Sequence, residues 1–388
     1  MIKLLSRIFI KDSKNYSDVN VRRQYGILCG GFGIFLNIIL FALKFIFGTI
    51  AASVAMIADA FNNLSDAASS IVSILGFKLA SKKPDPQHPF GHGRIEYISG
   101  LIISFLILLM GFELLTSSVK SLIHPEKTQS TVISIVIMAI GILIKFYMFF
   151  YNHTIAKKIN SVSMEATAKD SLSDTISTFV VIISIIAGRF TSFPVDGIAG
   201  IIVALFILYT GYDSAKETIR PLLGQPPSKE FVEEIEKEVM AHPPIVGMHD
   251  LVVHDYGPGR VMISLHAEVP GDMDIFELHD VIDVTEVSLA KKLNCSATIH
   301  LDPIDTKNSR LAELKKELKE ILAKINPELS CHDVRMVPGI THTNLIFDVV
   351  KPFFYKKNDE SLKTEIQNLV NSKYPDVFCA ITIDSPYV

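Results

Sequence analysis

Two pairs of polar side chains interrupt apolar stretches that are long enough to form membrane helices. Asn62 and Asp66 lie in one stretch, four residues apart, and Asp170 and Asp174 lie in another with the same spacing. On a helix this spacing places both side chains of a pair on one face. A carboxylate at the centre of a bilayer costs at least about 2.5–3.5 kcal/mol, and carboxylates that face one interior also repel one another. A divalent cation held between two helices accounts for all four residues.

Structural ion pairs are the alternative interpretation of the same residues. Lys44, Lys145 and Lys169 lie in or beside the apolar stretches, and each could neutralise a carboxylate. The recurrence of one paired spacing in two separate segments favours the cation site over isolated ion pairs. The sequence therefore predicts a site through which a divalent metal crosses the membrane.

The loop after the first polar pair contains a second set of candidate ligands. Asp85, His88 and His92 lie within eight residues of one another, in a segment rich in proline and glycine. Two imidazoles and one carboxylate form a plausible mixed nitrogen and oxygen metal site. The alternative is a polar loop whose histidines only cover the adjacent helix ends.

A third set of candidate ligands lies in the C-terminal region, on different predicted elements. Its members are His249, His266, His279, His300 and Asp302. His300 and Asp302 are two residues apart on a predicted strand, which puts both side chains on one face of a sheet. Convergence of the others depends on the tertiary fold, and a single histidine is more often a surface residue than a ligand.

The composition indicates a membrane protein with charged ends. Of the 388 residues, 49% are hydrophobic and 20% are charged, and the mean hydropathy is +0.35. A net charge of −4 gives no reason to expect nucleic-acid binding. The four cysteines show no CxxC spacing, so we expect reduced thiols rather than disulfides or a zinc knuckle.

Six segments are long enough to span a bilayer. They follow a cytoplasmic N-terminal segment, residues 1–24, and form a transmembrane domain at residues 25–220. The predicted spans are 25–50, 52–80, 95–120, 130–155, 163–188 and 194–220. Lysine and arginine concentrate in the N-terminal segment, in the loop at 78–94 and at 157–158. This bias predicts a multi-pass protein of the cell membrane with both termini in the cytoplasm.

After the sixth span the composition changes to that of a soluble domain. Residues 225–303 alternate between amphipathic and strand-like segments in the order αββαβ, which fits a small α+β, ferredoxin-like sheet. Residues 306–388 repeat this order. His332 and the aspartate after it repeat His249 and its following aspartate, and aligning the two histidines also brings Ala297 onto Ala380. We therefore predict a duplicated domain.

These features together resemble the cation diffusion facilitator family. The resemblance rests on the two polar pairs, the loop sequence HPFGHGR, the six spans and the cytoplasmic αββαβ domain, and it covers about residues 10–303. It implies a homodimeric, proton-coupled antiporter that exports a divalent metal from the cytosol. It implies no enzymatic activity and no cofactor, since the metal serves as substrate and as regulator.

The resemblance also implies which residues form the family's metal sites. The intramembrane transport site would be Asn62, Asp66, Asp170 and Asp174. The loop site would be Asp85, His88 and His92. The cytoplasmic regulatory site, at the dimer interface of the family, would be His249, His266, His279, His300 and Asp302.

The transport quartet departs from that of zinc-transporting members, which usually carry a histidine at one or more of its positions. The quartet of this chain offers oxygen donors only, and oxygen ligands suit Mn²⁺ better than Zn²⁺. Manganese-exporting members similarly lack the histidine. We therefore predict Mn²⁺ efflux, with Zn²⁺, Fe²⁺ or Co²⁺ as alternatives.

The second αββαβ copy is not part of the common family pattern. In the alignment that pairs His249 with His332, Ile383 and Ser385 replace His300 and Asp302. This match predicts that residues 306–388 extend or rigidify the cytoplasmic dimer and do not bind metal.

Two other classes of protein could use some of these residues. An intramembrane aspartyl protease also carries two membrane aspartates, but neither Asp170 nor Asp174 lies in a GxGD-like context. A membrane metal sensor without transport would use the cytoplasmic domain, but the intramembrane quartet would then have no role. Metal transport uses all three sets of ligands.

Overall fold

A computed structural model of the chain describes residues 2–16, 18–50, 54–123, 132–187, 195–339 and 342–385. The chain divides into two compact units. The helical unit comprises Met1–Gln225 with Asp255–Arg260, and the α/β unit comprises Pro226–His254 and Val261–Val388. The predicted span limits at 52, 130, 188 and 194 lie outside the described residues.

In the described part of the chain, the helical unit contains six helices of 26 to 32 residues. A short helix, α1 (Ile2–Phe9), precedes them. The long helices are α2 (Val19–Ile50), α3 (Val54–Ala80), α4 (Ile95–Ile123), α5 (Val132–Ile159), α6 (Val162–Ala187) and α7 (Val195–Leu223). By length and composition α2, α4, α5 and α7 could cross a membrane. Helices α3 and α6 contain the two polar pairs, whose charges lower their hydropathy.

Close pairing of helices holds α3 and α6 in place. Helix α2 packs along α3, α5 packs along α6, and α4 packs along α7. A Cβ atom added to Gly26 of α2 would lie 2.2 Å from the ring of Phe77 on α3. Small residues at such contacts let helix backbones approach closely in a membrane. A larger residue at Gly26 should therefore push α2 away from α3.

The α/β unit contains two three-stranded sheets in its described residues, with strand orders β1-β2-β3 and β4-β5-β6. The first set of elements is α8 (Lys229–Met240), β1 (Gly247–Asp255), β2 (Val261–Pro270), α9 (Ile275–Leu293) and β3 (Cys295–Ile304). The second set is α10 (Ser309–Ile325), β4 (Ser330–Pro338), β5 (Thr343–Val350), α11 (Asp359–Lys373) and β6 (Val377–Asp384). Both sets run in the order αββαβ, and in both the second and third strands pair in parallel.

Alternating burial leaves one face of each sheet for polar side chains, because successive side chains of a strand point to opposite faces. In β2 the buried Leu265 and Ala267 flank His266. Strand β5 shows the same alternation, with Asp348 between two buried residues. The candidate ligands of each sheet therefore share the face opposite its apolar core.

Candidate functional site

The acidic members of the predicted transport quartet lie together in the helical unit. Asp66 of α3 and Asp170 and Asp174 of α6 each offer a carboxylate oxygen, and these oxygens lie within 4.8 Å of one another. All three residues are buried. Asn62, one helical turn before Asp66, lines the same cavity of about 420 Å³ as Asp66 and Asp174. Two helices thus present oxygen donors from a small region, as binding of a hard divalent cation requires.

Lys145 of α5 adds a positive charge to this cluster. Its buried ammonium donates hydrogen bonds of 2.7 Å to Oδ2 of Asp66 and of 2.7 Å to Oδ2 of Asp174. Lys145 therefore forms the kind of ion pair with the quartet that the sequence allowed as the alternative to a metal site. Lys169 instead pairs with two acidic side chains of α7, and Lys44 lines the cavity. A divalent cation and the Lys145 ammonium would compete for the same carboxylate oxygens.

The three candidate ligands of the loop also lie together. Nδ1 of His88 lies 3.3 Å from Oδ1 of Asp85, and Nε2 of His92 lies 3.5 Å from Oδ2 of the same carboxylate. The hydrogen bond from Lys82, at 2.8 Å, and the backbone N–H of His88 lower the pKa of Asp85. Lys82 therefore competes with a metal for Oδ2 of this carboxylate.

Four of the five residues predicted for the cytoplasmic site gather in the α/β unit around one carboxylate. Oδ2 of Asp302 lies 3.1 Å from Nε2 of His249 and 2.9 Å from Nδ1 of His266. Its Oδ1 lies 3.2 Å from Nε2 of His300. Burial lowers the pKa of His249, which favours the neutral imidazole that binds metals. The four side chains offer three nitrogens and a carboxylate, a donor set that suits Zn²⁺ as well as Mn²⁺.

His279 is not among the residues that gather around Asp302 in the described chain. Its side chain is 71% exposed on α9 and lies 3.4 Å from a carboxylate of the same helix. His279 therefore does not join the other four residues within one chain, and its place in a site at the dimer interface stays a prediction. Glu268, which was not predicted from the sequence, lies 3.6 Å from Nδ1 of His249. The signal for it was its spacing of two residues from His266 on one strand.

A further group of candidate ligands surrounds His332 of the second αββαβ copy. Nε2 of His332 lies 3.1 Å from Oδ1 of Asp250 and 4.0 Å from a carboxylate oxygen of each of Asp348 and Asp384. Burial, together with the charges of Asp348 and Asp250, raises the pKa of Asp384. No ligands to accompany His332 were predicted from the sequence, and the reason lies in the strand register.

The alignment that pairs His249 with His332 does not hold for the parallel strands of the two copies. The first ladder begins with Val261 paired to Cys295, and the second begins with Thr343 paired to Val377. The histidine alignment would instead match Val261 with the residue after Thr343, and Cys295 with the residue after Val377. An alignment that is wrong by one residue exchanges the two faces of a strand.

When the copies are aligned by the starts of these ladders, different side chains correspond. Asp384, and not Ser385, takes the place of Asp302. Thr382, and not Ile383, takes the place of His300. The match that predicted no ligands in the second copy was therefore wrong by one residue.

Two family models match the chain. The model described as "Cation efflux transmembrane domain" matches residues 32–223. The model described as "Cation efflux protein, cytoplasmic domain" matches residues 227–304. Together the two matches cover more than half of the chain, and they follow one another in the order of the two kinds of fold described above.

Three relatives show the same similarity along most of their own length. An uncharacterized transporter of Methanocaldococcus jannaschii is 34% identical over 274 residues, which are 69% of this chain and 95% of the relative. The manganese efflux system protein MneS of Bacillus subtilis is 28% identical over 276 residues, 70% of this chain and 93% of the relative. The cation-efflux pump FieF of Shewanella oneidensis is 23% identical over 266 residues, 68% of this chain and 90% of the relative.

These matches decide between the classes of protein that the sequence allowed. The matched family consists of cation transporters, so the hypothesis of an intramembrane aspartyl protease is excluded. The apolar helices agree with a protein that crosses the membrane several times. The chain belongs to the cation diffusion facilitator family, with a transmembrane cation efflux domain followed by a cytoplasmic domain.

Proposed function

We propose that this chain exports Mn²⁺ from the cytosol by proton-coupled antiport. The observation that carries the proposal is the buried group of Asp66, Asp170 and Asp174, with oxygens within 4.8 Å of one another. Asn62 lines the adjoining cavity and adds an amide oxygen. In this proposal six helices span the cell membrane, and the clusters of lysine and arginine keep both termini in the cytoplasm.

The choice of Mn²⁺ rests on the donor atoms of the quartet. Zn²⁺ sites in proteins are built mainly from cysteine and histidine, whereas carboxylate, carbonyl and water oxygens suit Mn²⁺. The related MneS is named as a manganese efflux protein, which supports the same choice. Zn²⁺, Fe²⁺ and Co²⁺ are the alternative substrates.

The exchange of protons for metal would use Lys145. Its ammonium contacts Asp66 and Asp174 at 2.7 Å each. An arriving dication binds the same two carboxylates, displaces the ammonium and releases to the cytosol the protons that the carboxylates hold. When the metal leaves on the other side of the membrane, protons and Lys145 again neutralise these carboxylates. Because metal and protons exclude one another at the same oxygens, the inward flow of protons drives the outward flow of metal.

The loop and cytoplasmic sites would regulate transport. Metal bound by Asp302 and its histidines would join the cytoplasmic domains of a homodimer and bias the helical unit between two conformations. Asp85, His88 and His92 would bind metal in competition with Lys82. The metal is then both substrate and regulator, and the proposal requires no cofactor.

A selectivity profile in proteoliposomes tests the choice of metal. Purified protein would be reconstituted, and the flux of Mn²⁺ would be measured with equal concentrations of Zn²⁺, Fe²⁺, Co²⁺ or Cd²⁺ as competitors. We expect Mn²⁺ to be transported and Zn²⁺ to compete weakly. A strong preference for Zn²⁺ would reject Mn²⁺ as the substrate, and absence of flux for every metal would reject the transport function.

A further inference from the structure

The second αββαβ copy repeats three of the four ligand positions of the first. When the parallel strands are aligned by the starts of their ladders, Asp348 takes the place of His266 and Asp384 takes the place of Asp302. His332 of β4 takes the place of His249 of β1. Each of these two histidines precedes an aspartate with a positive φ, 51° in the second copy and 50° in the first. The two copies thus share this positive φ as well as these three ligand positions.

The strand pairing of the second copy brings its three ligands together. His332 is the antiparallel partner of Asp348, so the two side chains lie opposite one another on neighbouring strands. Asp384 lies on β6, opposite Val350 of β5, which is two residues beyond Asp348. That spacing puts Asp348 and Asp384 on the same face of the sheet. The ligands come from three adjacent strands, as they do in the first copy.

Asp250 of the first copy is the fourth member of the group. Its Oδ1 lies 3.1 Å from Nε2 of His332, and oxygens of Asp250 and Asp384 lie within 4.8 Å of a nitrogen of that histidine and of each other. The group therefore joins side chains of both sheets. The rings of His332 and His249 lie beside one another, with centroids 4.8 Å apart, so this group adjoins the histidines around Asp302.

The histidine nitrogen at the centre of the group lacks a hydrogen bond. The side chain of His332 is 11% exposed, and its Nε2 is buried without a hydrogen-bond partner although three carboxylates lie within 3.1 to 4.0 Å. An imidazole lone pair that faces carboxylate oxygens is repelled by them unless a proton or a metal cation lies between. A buried polar atom that remains unpaired costs about 1–3 kcal/mol. A bound metal would satisfy the nitrogen and neutralise the oxygens at once.

We propose that His332, Asp348, Asp384 and Asp250 form a second cytoplasmic metal site, which binds a divalent cation between the two αββαβ copies. The site offers one imidazole nitrogen and three carboxylates. This oxygen-rich set suits Mn²⁺ better than the histidine-rich set around Asp302 does. The bound cation would crosslink the two copies through Asp250. The proposal replaces the prediction that residues 306–388 do not bind metal. It does not depend on the direction of transport or on which metal is transported.

Counting bound Mn²⁺ on the full-length protein tests this site. The count would be made by equilibrium dialysis in detergent, in an Asp66→Asn/Asp174→Asn background that weakens the transport site. We expect Asp348→Asn and Asp384→Asn each to lose one equivalent of Mn²⁺ per protomer. The matched control is Glu360→Gln, a highly exposed carboxylate of α11 in the same copy, which should lose none.

Further variants test the site if the first substitutions prevent folding, and they separate it from the site around Asp302. If either substitution in β5 or β6 prevents folding, Asp250→Asn makes the same test from the first sheet. His266→Ala should remove a different equivalent, so that His266→Ala combined with Asp384→Asn loses two. The proposal is overturned if the ligand variants keep every equivalent, if Glu360→Gln loses one as well, or if His266→Ala and Asp384→Asn remove the same equivalent. Dialysis counts metal without transport, so a failure of this site is distinguishable from a failure of the transport function.

Discussion

The ammonium nitrogen of Lys145 lies 2.7 Å from Oδ2 of Asp174, in the buried interior of the helical unit. The same nitrogen contacts Asp66 at an equal distance. This ammonium balances one of the three acidic charges of the quartet, and Lys44, which lines the same cavity, offsets part of the remainder. The remaining negative charge attracts a dication, and the dication can displace Lys145 because it carries twice the charge.

Substitution of Lys145 by methionine should therefore strengthen metal binding. Methionine keeps much of the side-chain length but cannot compete for the carboxylates. A hydrogen bond to a charged group contributes about 1.5–3 kcal/mol, and about 1.4 kcal/mol corresponds to a factor of ten in affinity. We expect Lys145→Met to bind Mn²⁺ at least about tenfold more tightly at neutral pH, and to turn over more slowly because release is impaired.

Isothermal titration of the detergent-solubilised protein measures this affinity. Lys169→Met is the matched control, since Lys169 pairs with Asp213 and Glu217 and not with the quartet. If Lys145→Met unfolds more readily but binds Mn²⁺ with unchanged affinity, Lys145 is a structural counter-ion and takes no part in exchange.

Removal of one quartet carboxylate should abolish transport. Asp66→Ala and Asp174→Ala each remove a charged ligand, so the loss should exceed the roughly 10- to 100-fold that groups outside the ligand shell contribute to metal sites. Folding and dimerisation should remain intact by size-exclusion chromatography. Glu217→Gln, an acidic residue of α7 outside the quartet, serves as the control in the flux assay. Unchanged flux in either alanine variant would contradict the assignment of the transport site.

A nitrogen ligand introduced into the quartet should change the metal preference. Asp170→His supplies the imidazole that Zn²⁺ favours, at a buried position within 4.8 Å of the other carboxylates. We expect the ratio of Zn²⁺ to Mn²⁺ flux in proteoliposomes to rise. An unchanged ratio, with both metals still transported, would show that donor type at this position does not set selectivity.

His279 should be dispensable for metal binding by the cytoplasmic site. His279→Ala should leave the number of metal ions per protomer unchanged, whereas Asp302→Asn should lower it, because Asp302 contacts three histidines and His279 is exposed on α9. Equilibrium dialysis with Zn²⁺ and Mn²⁺ compares the two variants. Loss of an equivalent in His279→Ala would indicate that this histidine completes a site between two protomers.

Local periodicity was sufficient to predict which side chains meet within one element. The spacing of four residues brings Asp170 and Asp174 to one region of α6, and the spacing of two residues places His300 and Asp302 together on β3. Contacts between elements did not follow from spacing. The partnership of Lys145 with the quartet depends on the packing of α5 along α6, which the sequence does not reveal.

An error of one residue in aligning the two copies was enough to conceal the candidate ligands of the second copy. Aligning the dipeptides that begin with His249 and His332 leaves the parallel strands of the two copies one residue out of register. Because strand side chains alternate between faces, this shift of one residue matched Asp302 with Ser385 instead of Asp384. The pairing of the parallel strands shows which residues of the two copies correspond, and a single sequence does not reveal that pairing.

Simultaneous measurement of metal and proton flow tests proton-coupled antiport most directly. Vesicles containing the purified protein would be loaded with a pH-sensitive dye, an inward or outward proton gradient would be imposed, and Mn²⁺ movement would be recorded at the same time. We expect Mn²⁺ to move against the direction of proton flow, reversal of the gradient to reverse the metal flux, and Asp174→Ala vesicles to show neither movement. Mn²⁺ flux that is independent of the gradient, or that persists in Asp174→Ala, would contradict this expectation.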